Sequence, residues 1–463
     1  MQVDWQTLQD LGLLYPAGKR ASVFTWVNFT RTQGGEQRLR ERFRGPASGV
    51  EEIRETQRAV RFLAGHQGLF EPLLVGSSWL AVEQYARAFY AAADHPNALF
   101  RWIDSWWLRV MNRGVFDPIR AGLAVSQSMV RLAREVVERL RALGPPPLLA
   151  AWTDEVAALL AAPPMAALAG GRAVHARFAA EVMAADHGLR SQEFAPLVAL
   201  ARRVYEVDAL CSLAQATLER GLAFPEVLDE ATPRVEAEGL RHPLLDHPAG
   251  NPLHVAPESR LLFLTGPNMA GKSTYLKSAG IAVFMAQLGM GVPAASFRWT
   301  PFGCLFAGID TTDNVRLGQS YFFREVRRVR EIAEVLAGGT TAFVLFDELF
   351  KGTNLKDAAD ACLAVLSGFS GCAGSAFVVA SHLAELAGHV GALDGVAFAR
   401  FGAEVRDGEP VFRYQLEPGV SDQRLGMLIL RRERVLELLD GLRVPAPVVD
   451  GAGPAPPVEA PPV

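Results

Sequence analysis

Cysteine is scarce in this chain: Cys211, Cys304, Cys362 and Cys372 are all there are in 463 residues, and no two form a C-x-x-C pair. Scattered singly, they read as small buried hydrophobes in a reducing compartment, so neither a disulfide framework nor a cysteine metal site is expected. Long apolar runs are missing as well, none approaching the ~18–20 residues that a membrane span requires. Met1–Asp10 lacks a basic stretch followed by an apolar one, so no secretory leader is read there. A cytoplasmic protein without membrane contact is the expectation. Excess positive charge is absent too. Lys and Arg total 46 against 50 Asp and Glu, a formal net charge of −4. No global basic footprint points to nucleic acid, although a local basic groove is compatible with that balance. What remains is an ordinary globular composition, 50% hydrophobic and 21% charged, in a length with room for two or three full cores.

Two changes of pattern divide the chain. Up to about Glu236, apolar residues recur at three and four over Val50–Ala64, Phe116–Leu143, Leu148–Leu160, Ala173–Ala185 and Phe194–Gly221, which predicts helices. Proline clusters at Pro145–Pro147 and Pro163–Pro164 punctuate them. Phe100, Trp102, Trp106 and Trp107 sit at helical offsets and read as a helix–helix contact rather than a stacking platform. After about Gly239, short β-rich runs alternate with helical stretches. The strand candidates Leu261–Leu264, Ala342–Phe346 and Ser375–Ala380 imply a parallel sheet covered by helices on both faces. Val444–Val463, rich in Pro, Ala, Val and Gly without periodicity, reads as a disordered tail. The expected division is therefore an all-helical domain over 1–235, an α/β nucleotide-binding domain over 236–443 and a tail over 444–463.

The chemistry concentrates at the ends of those strands. Gly266-Pro-Asn-Met-Ala-Gly-Lys-Ser273 has the form G-x-x-x-x-G-K-S, with an apolar strand before it and a helix after it. That is a Walker A phosphate loop. Backbone N–H groups of Gly266, Pro267's neighbours, Asn268, Met269, Ala270 and Gly271 would converge on phosphates, Lys272 would reach the β/γ oxygens, and the Ser273 hydroxyl would ligate Mg²⁺. Phe343-Val-Leu-Phe-Asp-Glu348 ends a second strand in two carboxylates, a Walker B pattern. Asp347 is placed for the metal shell and Glu348 for the attacking water. His382 closes the third strand, where ligands gather in open α/β sheets, and is read as a catalytic-face residue. Gly318-Gln-Ser320 precedes an arginine-dense helix carrying Arg324, Arg327, Arg328 and Arg330. Spacing alone leaves it open between a second phosphate-binding helix start and an ordinary cap with a solvated face.

These segments resemble the MutS family of DNA mismatch-repair ATPases. The likeness rests on Thr265–Tyr275, Asp347-Glu-Leu-Phe-Lys-Gly-Thr353, Ser381-His382 and Ser320-Tyr-Phe-Phe-Arg-Glu325. It extends through Arg241-His-Pro243, Asn251-Pro252, Tyr205–Ala214, Thr30-Arg-Thr32, Gly34-Gly35, Glu417-Pro-Gly-Val-Ser421 and Gly426-Met427. The resemblance implies an α/β P-loop NTPase domain of ABC-like type on the C-terminal side of an all-α core and lever domain. It also implies ATP and Mg²⁺ as cofactors. Gly266, Asn268, Gly271, Lys272, Ser273 and Thr274 would hold phosphates and metal, with His382 facing the γ-phosphate. Ser320 would act in trans across a homodimer, and Tyr414 would lie against adenine. The chain departs from the family in several places. It opens directly in core-type sequence, which is read as a branch without the mismatch-reading domain, and Phe70-Glu71 is not the reader's wedge. Pro248 stands where an aromatic often pairs with adenine, Ala270 replaces a usual glycine, and Phe350-Lys351 follows the second carboxylate.

The function expected from the resemblance is ATP hydrolysis by a DNA-associated homodimer in mismatch repair or DNA structure and damage sensing. Two alternatives stand beside it. One is a mechanical ATPase that clamps a protein or ribonucleoprotein partner; the other is a slow nucleotide switch.

Overall fold

A computed structural model describes residues 1–15, 21–88, 106–107, 109–170, 179–192, 194–309, 321–382, 386–406, 409–421, 423 and 430–441. Its first half is helical, with the main helices at Gln33–Arg44, Val50–Gly65, Gly76–Arg87, Arg113–Ala142, Pro147–Ala161, Pro163–Gly170, Ala179–Arg190 and Ala195–Glu219. Local chemistry sets their ends. The Thr32 hydroxyl accepts the Gly35 N–H at 2.9 Å to cap Gln33–Arg44, whose first turn carries Glu36 and whose last turn carries Arg42 and Arg44. Pro147 and Pro163 open helices, where a missing N–H costs nothing. The helix Ala195–Glu219 is buried along much of its length and packs against Gln33–Arg44 and Val50–Gly65. Its buried Asp208 accepts from Thr32 N (2.9 Å), Thr32 Oγ1 (2.6 Å) and Arg31 N (3.1 Å), which ties the start of one helix to the middle of another.

The described residues include eleven strands, in chain order β1 (Gln2–Val3), β2 (Glu226–Val227), β3 (Val235–Leu240), β4 (Asn251–Val255), β5 (Leu261–Thr265), β6 (Ser296–Trp299), β7 (Cys304–Gly308), β8 (Ala342–Asp347), β9 (Ala376–Ala380), β10 (Val396–Arg406) and β11 (Glu409–Pro418). Seven form one sheet in the order β1-β7-β8-β9-β5-β10-β11, parallel except for the β10–β11 hairpin. The other four form a smaller sheet, β2-β6-β3-β4. β5 and β9 are buried throughout and β8 at every position but its last, the pattern of strands covered on both faces. Alternate residues divide between two cores. Leu262, Leu264, Leu345 and Val378 pack with the helix Lys272–Gln287, while Phe263, Val344, Phe346 and Phe377 pack with Ile332 and Leu366 from the opposite layer. Rings of Phe369 and Phe377 stack at 4.8 Å across that second interface. Gly280 lets Lys272–Gln287 lie close to the sheet; a Cβ there would come within 2.6 Å of Leu345 and 2.8 Å of Leu11.

Parts of the sequence reading need correction. The segment 1–235 is not wholly helical, because β1 joins the edge of the large sheet beside β7 and β2 joins the small one. Two-residue strands carry no periodicity to read. Trp106 and Trp107 are more than half exposed (54% and 52%) rather than packed in a helix–helix contact. Phe100, Trp102, the opening of the expected Ala173–Ala185 helix and the tail Val444–Val463 lie outside the described residues.

Candidate active site

The carboxyl ends of β5, β9 and β8 lie side by side, so the loops after them converge. After Thr265 the chain turns through Gly266 (φ 146°) to Gly271 (φ 107°) and enters the helix at Lys272. Gly266 admits no side chain: a Cβ would sit 2.5 Å from the Phe401 carbonyl oxygen. Met269 takes the left-handed conformation (φ 69°), whereas Ala270 does not, so alanine fits there without backbone strain. Lys272 is buried, and its ammonium donates to the carbonyls of Gly266 (2.7 Å) and Pro267 (3.2 Å). Burial pulls its pKa down, opposed by the charges of Glu348 and Asp347. The Ser273 hydroxyl is hydrogen-bonded to the Asp347 carboxylate.

The two carboxylates at the end of β8 sit in opposite electrostatic settings. Burial pushes the Asp347 pKa up, against the Ser273 hydrogen bond. Glu348 is drawn down to about 2, first by the hydrogen bond from His382 and then by Lys351, which together outweigh its burial. His382 Nδ1 lies 3.5 Å, Lys351 Nζ 3.1 Å and Lys272 Nζ 4.0 Å from Glu348. Glu348 itself adopts φ 58°, and its N–H donates to Ala380 O at 2.9 Å, which ties this left-handed turn to the end of β9. The result is a carboxylate that stays ionised at neutral pH and points among cationic donors.

A cleft of about 620 Å³ runs from this cluster to a less polar wall that includes His242, Leu245, Pro248, Phe401 and Tyr414. Tyr414 is held in a left-handed conformation (φ 55°) beside Gly271. Asn251, at the start of β4, bridges to it: Nδ2 donates to Tyr414 O at 3.0 Å, and Oδ1 accepts from Leu416 N at 2.7 Å. The Tyr275 hydroxyl donates to Pro252 O at 2.8 Å and so fastens the phosphate-loop helix to the same strand. Thr265 Oγ1 accepts from Ser421 N at 2.8 Å, which brings the Glu417–Ser421 turn onto β5.

Of the residues singled out in the sequence, Pro267, Asn268, Met269, Gly271, Lys272, Ser273, Thr274, Asp347, Glu348 and Tyr414 line this one cleft. Gly266 and Ala270 belong to its loop, and His382 reaches it through Glu348. Ser320 lies outside the described residues. Lys351 carries no site role in the sequence reading, which has it both inside the Asp347–Thr353 likeness and as a departure from the family, yet it lines the cleft and pairs with Glu348. Its position three residues past the carboxylate was the available signal. The bridging role of Asn251 had no signal beyond its place in the Asn251-Pro252 pair.

Fold and loop together define an α/β domain with a mostly parallel sheet and a glycine-bearing loop between strand and helix. Residues 262–438 match the model of MutS domain V. Similar curated proteins include DNA mismatch repair protein MutS of Acetivibrio thermocellus, 28% identical over 249 residues that make up 52% of this chain and 28% of that protein. The protein of the same name from Streptococcus sanguinis is 30% identical over 260 residues, 53% of this chain and 30% of the relative. That of Geobacillus thermodenitrificans is 31% identical over 244 residues, 51% and 26% respectively. Over these residues the chain is similar to the MutS family, and it spans less than a third of the length of these three relatives.

Proposed function

We propose that this chain is a Mg²⁺-dependent MutS-type ATPase with an ABC-like catalytic domain over about 236–443 and a helical core and lever domain before it. The observation that carries the reading is the convergence of Lys272, the Ser273–Asp347 pair and the cation-ringed Glu348 beyond the carboxyl ends of β5 and β8. Gly266 and Gly271 shape a backbone cradle with no side chain in the way, and the helix start at Lys272 adds a positive dipole end. Ser273 and Asp347 would supply oxygen ligands to Mg²⁺, a hard cation that takes oxygen and retains several waters. Bound there, the metal would neutralise charge on the phosphate oxygens.

Lys272 exchanges its loop carbonyls for phosphate oxygens, which stay negatively charged through a loose phosphoryl-transfer transition state. Glu348 orients a water rather than pulling hard on its proton, since a carboxylate with a pKa of about 2 is a weak base. His382 and Lys351 fix its orientation from two sides. Tyr414 offers its ring to adenine at the other end of the cleft. Two protomers would close over the nucleotide, with Ser320 of each completing the partner's site, and hydrolysis would reset the helical arms.

The substrate of that motion is proposed to be DNA, as the names of the relatives suggest for those proteins. The net charge of −4 favours a second reading, in which the dimer clamps a protein or ribonucleoprotein. Turnover at low salt against duplex, mismatched, branched and single-stranded DNA and RNA separates the two. Stimulation by a DNA form that fades steeply with salt supports the first. No change with any DNA rejects it.

A further inference from the structure

One buried carboxylate lies behind the turn that carries Glu348 and takes no part in the cleft. Glu325 sits on the helix Tyr321–Ala337 and is 7% exposed. Its Oε1 accepts the Phe350 N–H at 3.1 Å, and Oε2 is buried and finds no hydrogen-bond partner among the described residues. The amides of Phe350, Lys351 and Gly352 all act on this carboxylate, opposing the burial that pushes its pKa up. The same helix sets the Phe322 ring 5.6 Å from that of Phe350. The turn so gripped has left β8 and has not yet entered the helix Leu355–Ser370. Glu348 (φ 58°) and Phe350 (φ 66°) both hold left-handed backbone there, a conformation that bulky L residues seldom adopt and that surrounding contacts must enforce.

We infer that Glu325 is a positioning residue: by receiving the Phe350 N–H, it locks the turn that aims Glu348 and Lys351 into the cleft. A carboxylate suits the task because hydrogen bonds to an ionised acceptor are stronger than neutral ones. Withdrawing it frees a short turn whose two side chains stand 3.1 Å apart at the reacting end of the site. A small misplacement there falls on the chemical step, while the phosphate loop, which Glu325 does not touch, keeps its hold on nucleotide.

The inference rests on the reading of Glu348 as the water-orienting group, so the experiment includes Glu348→Gln as a control. Single-turnover ATP hydrolysis and binding of a fluorescent ATP analogue are measured for the full chain, Glu325→Ala and Glu325→Gln. Glu325→Ala is expected to lose on the order of ten- to a hundredfold in kcat with affinity for the analogue little changed. Glu325→Gln, which keeps one carbonyl acceptor for the Phe350 N–H, is expected to recover most of that loss. Equal kcat in Glu325→Ala and the parental chain overturns the inference, as does parallel loss of kcat and affinity. So does failure of Glu325→Gln to rescue, which also decides the matter if the alanine variant does not fold. If Glu348→Gln itself hydrolyses ATP at the parental rate, the underlying assignment of Glu348 fails instead.

Discussion

Replacing Asn251 with alanine should weaken ATP binding without disturbing the phosphate loop. Its amide is the bridge between β4 and β11, donating to Tyr414 O and accepting from Leu416 N. Asn251 is buried, so both partners lose a bond that solvent does not simply replace. At a net 0.5–1.5 kcal/mol each, the two bonds together are worth about 1–3 kcal/mol. Tyr414 is also held at φ 55°, and left-handed backbone costs an L residue roughly 1–2 kcal/mol, so a released Tyr414 relaxes away from this conformation. If the whole bond loss falls on the liganded state, affinity drops by roughly 5- to 150-fold, at 1.4 kcal/mol per factor of ten. Titration with a fluorescent ATP analogue and, in competition, with inorganic tripolyphosphate separates the two ends of the cleft. The ATP analogue should weaken and tripolyphosphate should hold. Tyr414→Ala should reproduce the loss, and the double variant should fall short of the sum of the two, as for residues acting through one contact. Equal weakening of both ligands would place the effect on the phosphate loop and refute the assignment of the Tyr414 wall to the base.

Gly266→Ala should abolish most nucleotide binding and lower the melting temperature. Its Cβ would meet the Phe401 carbonyl at 2.5 Å in a backbone region that costs an L residue about 1–3 kcal/mol, so an unaltered binding isotherm would contradict the cradle geometry. Asp347→Asn should raise the Mg²⁺ concentration needed for half-maximal turnover by more than tenfold, roughly the lower bound for losing a charged ligand interaction; unchanged metal dependence would remove Asp347 from the metal shell. Glu348 also shapes acid stability. Its pKa lies below the ordinary 4.5, at about 2, so the fold favours the ionised form. That contribution is whole above the ordinary glutamate range and drains away as pH falls from about 4.5 towards 2. Urea midpoints should therefore fall less steeply over that window in Glu348→Gln than in the parental chain, and identical slopes would show that the ion pairs are not formed in solution.

Sequence disclosed the site where burial and chain geometry leave compositional marks. β5, β8 and β9 were visible because strands covered on both faces are continuous apolar runs, and each ends in the loop that carries its chemistry. Helices such as Val50–Gly65 and Ala195–Glu219 showed because their buried positions recur at three and four. The β10–β11 hairpin was not read as strands: it runs at the sheet edge, half exposed, and β11 mixes charged and apolar residues. The left-handed backbone at Glu348 and Phe350 had no marker either, since neither residue is a glycine or asparagine. Lys351 became informative only once the turn folded it back onto Glu348. Asn251 and Tyr414 are 163 residues apart, and only the fold brings them together.

Glu348→Gln tests the catalytic assignment most directly, with ATP binding and single-turnover hydrolysis measured on the same preparations. The amide keeps the shape of the side chain and removes the charge that His382, Lys351 and Lys272 surround. Binding should stay within about a factor of two while turnover falls by roughly a hundredfold or more, the scale of a lost general base or water-orienting group. Hydrolysis at the parental rate in the variant, or no affinity for ATP in the parental chain, would contradict it.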